Sequence, residues 1–181
     1  MAVDQRVDRS EEANMTAMDA PANTEEHVIE EEVVKIYRCA TVVKGGRRFS
    51  FSALVVVGDR NGNVGVGYGK AVEVPASVEK GKKIATSAIV PIKLINGTLP
   101  HRIIGRFGAS KVVMVPASPG TGVIAGASVR AVLELAGVRD VLTKSYGSNS
   151  PKNLVRATFN GLKGMLSCDE IEQLRGVRVA G

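Results

Sequence analysis

The chain has no tryptophan, and phenylalanine and tyrosine together make up only 4% of its 181 residues. So few rings argue against recognition of nucleic acid by stacking bases on an aromatic platform. Its two cysteines, Cys39 and Cys168, stand too far apart to form a ligand pair or a disulfide framework, so free thiols in a reducing cytoplasm are expected. There are two histidines: His27 in an acidic stretch and His101 just after Pro100. Only His101 falls in the globular region, and it has no Cys, Asp or Glu cluster nearby, so no catalytic triad and no metal site is expected, and His101 is read as a packing or RNA-facing residue. No apolar run reaches the roughly 20 residues that cross a bilayer. The N-terminus is acidic rather than basic-then-apolar, so neither a signal peptide nor a membrane partner is expected. No cofactor is expected either.

The net charge of +6 conceals a sharp asymmetry. Residues 1–32 hold ten carboxylates against two arginines, net −8, which leaves the remainder at +14. A body this basic attracts nucleic acid or another anionic surface. The acidic stretch lacks apolar periodicity and is predicted to be disordered or partly helical. It either shields the basic body or is solvated filler.

Val33 to Val43 reads as a strand running into a turn at Lys44-Gly45-Gly46-Arg47. Phe49, Phe51, Ala53, Val55 and Val57 then share one face at period two, with Ser50 and Ser52 on the other. Asp59-Arg60-Asn61-Gly62-Asn63 is a hairpin signal, because Asn-Gly tolerates positive φ. Val64, Val66 and Tyr68 alternate with Gly65, Gly67 and Gly69, leaving one strand face bare so that another backbone or a helix can approach. Pro75 suits the first turn of a helix running to about Ala88. After a break at Pro91, Leu99–Ile104 and Lys111–Val115 read as strands and Pro116–Gly122 as a loop. Val129, Val132, Leu133 and Ala136 make a helical stripe that Gly137 ends. Val138–Lys144 is a further strand. Ser150-Pro151 opens a helix with Val155, Thr158, Phe159 and Leu162 on one side and Lys152, Arg156 and Lys163 on another.

Two motifs resemble phosphate loops. Gly120-Thr121-Gly122, with Gly126 and then Asp140, follows a strand and opens a helix, but its third glycine is one residue late for a dinucleotide fingerprint. Its backbone amides suit a phosphate, of a nucleotide or of a polynucleotide, and a nucleotide-dependent small-molecule kinase is the alternative it supports. Gly65 to Lys70 fails as a P-loop, since Val64 and Ala71 stand where a glycine and a hydroxyl residue are needed. The stronger candidate is the basic turn. Gly45 and Gly46 let a backbone come close, while Lys44, Arg47 and Arg48 bring charge and forked donors. The competing reading is a solvated hairpin tip.

VKGGRRFSFSALVVVGDRNGNVGVGYGKAVEVP, from Val43, resembles the bacterial small-subunit ribosomal protein S-five family. PASPGTGVIAGASVRAVLELAGVRDVLTKSYGSNSPKNLVRATFNGL resembles that family's C-terminal half. The likeness spans Val33 to Leu166 and continues into Leu174-Arg175-Gly176. It implies an α+β chain: a double-stranded-RNA-binding-like domain over 31–93, a three-stranded antiparallel sheet with helix, then a βαβ-type second domain over 94–168. An acidic tail (1–30) and a C-terminal tail (169–181) flank them. It also implies a non-enzymatic structural protein of the cytoplasmic ribosome that binds small-subunit rRNA and stabilises head against body. Further implied are neighbours S-four and S-eight, a place near mRNA where it enters the subunit, and an influence on translational accuracy. The RNA-contacting residues would be Lys44, Gly45, Gly46, Arg47, Arg48, Gly65, Gly67, Gly69, Lys70, Lys152 and Arg156, with Cys39, Ala40, Thr41 and Gly46 in a loop near the spectinomycin site. Thr41 stands where many members carry lysine, the acidic tail is longer than the family's, and the sequence stops at Gly181, short of the family's amphipathic tail. A duplex-RNA-binding module working outside the ribosome is the third reading.

Overall fold

The computed structural model describes residues 29–177; the acidic stretch up to Val28, with His27, and the last four residues lie outside it. Three long antiparallel strands, β1 (Glu30–Val43), β2 (Gly46–Gly58) and β3 (Asn63–Ala71), are joined by the two-residue β4 (Val90–Pro91) in the order β1-β2-β3-β4. Helix α1 (Val74–Ser87) follows β3, with Pro75 in its first turn. A stripe of small residues, Ser77, Gly81 and Ala85, recurs every fourth position and is buried. It lies on the bare face of β3 at backbone-to-backbone distance. A Cβ at Gly65, Gly67 or Gly69 would stand 2.2, 2.0 or 2.1 Å from the carbonyl oxygens of Ala85, Gly81 and Ser77. The close approach read from the alternating glycines is therefore made, and α1 makes it.

The second unit contains β5 (Ile103–Phe107), β6 (Ser110–Pro116), β7 (Val123–Ile124), α2 (Ala127–Leu135), β8 (Val141–Gly147), α3 (Pro151–Lys163) and α4 (Cys168–Arg175). Its sheet runs β5-β6-β8-β7, and β7-α2-β8 is a βαβ crossover between parallel neighbours. The whole is a mixed α+β fold. Several boundaries differ from the sequence reading; β1, for one, starts at Glu30 rather than Val33. Pro100 has no N–H for a ladder, so Leu99 fills the core from irregular chain and the strand starts at Ile103. A tight turn at Gly108-Ala109, with Gly108 at φ 55°, makes β5 and β6 a hairpin. Val138 to Asp140 bond the C-terminus of α2 and Gly97 instead of a strand, so β8 begins only at Val141. Ser150 precedes α3 as expected, but its hydroxyl makes no capping bond; its carbonyl accepts from Asn153 and Leu154 instead.

From Ser52 to Gly58 both faces of β2 are buried. Ala53, Val55 and Val57 pack with Ala85 beneath α1. Leu54 and Val56, on the face that Ser50 and Ser52 mark as polar, enter one core with Leu99, Val112, Met114, Val132 and Leu133 of the second unit. The β2–β3 loop joins this contact. The Arg60 and Gly62 amides donate to the carbonyls of Leu135 and Ala136 at 3.0 Å, satisfying the open C-terminus of α2. Positive φ falls on Arg60 (55°) and Gly62, not on Asn61. Gly137 at φ 86° lets the chain turn away, and a Cβ there would lie 2.1 Å from the Arg60 carbonyl.

Gly67→Ala should lower unfolding stability by about 2 kcal/mol or more, because the added methyl meets helix backbone. Gly45→Ala, with nothing within 4 Å, should stay within about 0.5 kcal/mol. Urea midpoints of the two variants compare them directly. Asp59 supplies a second expectation. Burial pushes its carboxyl up, but bonds from the Asn63 side chain and the Asn61 and Asn63 amides outweigh this and hold it below its ordinary value of 3.8. A carboxylate depressed by folding stabilises the fold above its unfolded value and loses that contribution as pH falls through the folded one. The stability deficit of Asp59→Asn should thus be full at neutral pH and narrow as the pH drops below 3.8; a deficit that did not change with pH would remove the carboxylate's charge from the account.

Candidate nucleic-acid interface

Pairing between β2 and β3 stops at Phe51–Ala71. Beyond that point β1 and β2 continue alone as a two-stranded ribbon from the Cys39–Ser50 pair to Val43–Gly46, closed by Lys44-Gly45. Five residues at about 3.3 Å each carry it roughly 17 Å past the end of β3. Residues 40 to 49 are all exposed, and Gly45 and Gly46 have nothing within 4 Å of a built Cβ. A hairpin of this length is marginal alone. It is supported by its ladder and by the Arg38 guanidinium, which lies 3.8 Å over the Phe49 ring.

The register sorts the basic side chains onto two faces. Residues directly opposite share a face, so Arg48 goes with Thr41 and Arg47 with Val42. Arg47, Arg38 and Phe49 lie on the α1 side. Arg48 lies on the other side, in line with Ser52, whose partner on β3 is the exposed Lys70. Lys152 and Arg156, one turn apart on α3, follow next to that face. The Lys152 ammonium sits 4.1 Å over the Tyr68 ring, and the Arg156 guanidinium 5.1 Å over Phe107. One flank therefore carries Arg48, Lys70, Lys152 and Arg156, and the other carries Arg47 and Arg38. A lysine at position 41 would oppose Arg48 directly, and Thr41 removes that like-charge pair. Cys39 is half-buried, its Sγ 3.5 Å from the Ser52 hydroxyl.

Three of the expected contact residues need correction. Gly65, Gly67 and Gly69 face α1, and the helix backbone fills the space an RNA phosphate would need. Their role is packing. The glycines of the phosphate-loop motif are not packed in this way: Gly120, Gly122 and Gly126 have nothing within 4 Å of an added Cβ, and the loop is held by its own hydrogen bonds. The Gly122 amide donates to the Asp140 carboxylate at 2.8 Å, and Thr121 bonds Ser118 through both its amide and its hydroxyl. The loop's own anion thus holds a donor that a nucleotide phosphate would use. The sequence reading missed Arg38. Its signal was period two along β1, which places Arg38 on the face of Phe49 once Val43–Gly46 sets the register.

The fold and this surface define a basic protein of mixed α+β architecture with an exposed arginine-bearing ribbon. The family model described as the N-terminal domain of ribosomal protein S5 matches residues 29–93, and the one described as its C-terminal domain matches residues 105–175. The small ribosomal subunit protein uS5 of Rhodopirellula baltica is 54% identical over 147 residues, covering 81% of this chain and 83% of that protein. That of Rubrobacter xylanophilus is 56% identical over 83% and 76%, and that of Syntrophobacter fumaroxidans 53% over 82% and 90%. The chain belongs to the ribosomal protein S5 family, and is a structural constituent of the small ribosomal subunit.

If the Arg38–Phe49 stack and the ladder hold the ribbon, Phe49→Ala should speed amide hydrogen exchange from Thr41 to Arg48. Global stability should move by less than about 0.5 kcal/mol, since the ring is exposed and outside both cores. Exchange that is uniform across β1 and β2 would count against an independently mobile ribbon.

Proposed function

We propose that the chain binds small-subunit rRNA through phosphate and shape contacts made by the ribbon and the flank beside it. Lys44, Arg47 and Arg48 grip phosphates from the tip, Gly45 and Gly46 allow close backbone approach, and Lys70, Lys152 and Arg156 continue the contact along one side. The observation that carries this reading is the ribbon itself: roughly 17 Å of hairpin beyond its sheet, with Lys44, Arg47 and Arg48 all exposed. Arginines on opposite faces of a thin ribbon suit insertion between two backbone segments better than lying on one. Few aromatics stand near the tip, so base stacking contributes little. The ribosomal proteins S-four and S-eight as neighbours, mRNA at its entrance, the Cys39–Gly46 loop beside the spectinomycin site and an influence on accuracy belong to the same proposal, supported by family membership.

Arg47→Glu should weaken binding to small-subunit rRNA and lower the slope of log affinity against log salt by about one for each phosphate no longer neutralised. Gly67→Ala, measured where it remains folded, should leave that slope alone. A slope unaltered by Arg47→Glu would show that this side chain touches no phosphate.

A further inference from the structure

Helix α1 covers β2 and β3 but leaves β1 largely open on the same side of the sheet. Val33 and Ile36, which pair with Val55 and Ala53 on that face, are 40% and 43% exposed, although their partners are fully buried. They form an exposed apolar strip on β1 beside α1, and we call the space between strand and helix the furrow. Its α1 rim carries Lys82 and Lys83 together with Glu79, and further along β1 the same face carries Arg38 and then Arg47 across the ribbon. The furrow thus leads from the start of β1 to one flank of the ribbon.

The chain enters β1 at the opposite end of that furrow. Its first described carboxylates are already held by the basic body: Glu30 accepts from Arg60 at 2.7 Å, and Glu31 from Lys82 at 3.0 Å. Residues 1–28, ahead of Ile29, hold seven carboxylates against two arginines, and include Met15 and Met18. From Glu30 to Val43 the strand runs roughly 43 Å at about 3.3 Å per residue. Twenty-eight residues span that distance even as a helix, about 42 Å at 1.5 Å each. Length and point of attachment match the furrow, and its charge matches toward the ribbon, where Arg38 and Arg47 stand, more than at Lys82, which Glu31 already holds.

We infer that residues 1–28 of this chain are an intramolecular ligand of the β1–α1 furrow, set against Val33, Ile36 and Lys82 and reaching toward Arg38 and Arg47, where they compete with RNA. A polyanion must displace the segment to gain the ribbon's α1 flank. Weak, unselective polyanions are then rejected, and an RNA that engages both flanks is retained. The competition rests on the RNA-binding reading, whereas the docking does not.

The docking is tested without RNA on the full chain, with Cys39→Ser and Cys168→Ser and a nitroxide attached through Asn14→Cys. Broadening of the Val33, Ile36, Lys82 and Arg38 amides, with those of Arg106, Lys111 and Lys144 untouched, is the expected result. Broadening spread over both units, or absent, overturns the docking. Broadening seen on an isotope-labelled copy mixed with a spin-labelled one assigns the furrow to a second molecule and overturns it equally. The competition is tested by changing Glu11, Glu12, Glu25 and Glu26 to Gln. Binding of an arbitrary-sequence RNA duplex should tighten about fivefold near 50 mM salt, and the difference should vanish near 1 M, where the screening length is about 3 Å. Equal affinity of the two chains at low salt overturns the competition even where the broadening is found.

Discussion

Everything in this molecule depends on β2 being buried on both faces. One face carries Ala53, Val55 and Val57 into the space under α1, and the other carries Leu54 and Val56 into the core of the second unit. The fully buried Leu54, Val55, Val56 and Val57 are worth roughly 1.5–3 kcal/mol each. The contact is also directional. Two amides of the β2–β3 loop cap the C-terminal carbonyls of α2, so the units cannot slide without exposing polar groups of both. The boundary between the two family matches falls in irregular chain after β4, yet the core runs across it.

That double burial explains the sequence on either side. With one face given to the second unit, α1 must sit close on the other, and the glycines of β3 and the Ser77-Gly81-Ala85 stripe bring it there. Glycine inside a strand and inside a helix lowers propensity by roughly 0.5–1 kcal/mol per site. The packing offsets it, and the result is a thin, stiff platform. Since α1 is centred over β2 and β3, strand β1 is left as an edge. The same strand pair can then continue outward as the ribbon, with its charged side chains solvated and no core of its own to maintain.

Much of this is legible in the chain. Alternating glycine implies a bare strand face, Pro75 a helix start and Gly137 a helix stop, because each is a local steric matter. The function of the bare face is not legible: helix and phosphate both need room, and only the fold says that α1 occupies it. Leu54 and Val56 are obscured by Ser50 and Ser52, which give β2 an amphipathic pattern at its ribbon end, while its other half is apolar on both faces. Asp140 reads as a strand residue because Val138 and Val141 flank it in an apolar run; the bond it accepts from Gly122 is eighteen residues away. Arg48 and Arg47 are adjacent in sequence, and their division between two faces follows from register alone.

On the proposed reading, that division bears on how a protein so poor in aromatics would hold RNA by its shape. Phosphate contacts fix position and carry no sequence information of their own. Selectivity must then come from the spacing of the charges, and spacing is only as good as the rigidity of what bears them. Here the ribbon's register is fixed by its ladder, the ladder by β2, and β2 by two cores at once. Lys152 and Arg156 are placed by α3, whose first turn is anchored on Tyr68 of the first unit through the Lys152 ammonium. Charges from both units are therefore held in one frame, and under the proposed contacts an RNA of the wrong shape would meet some of them but not all.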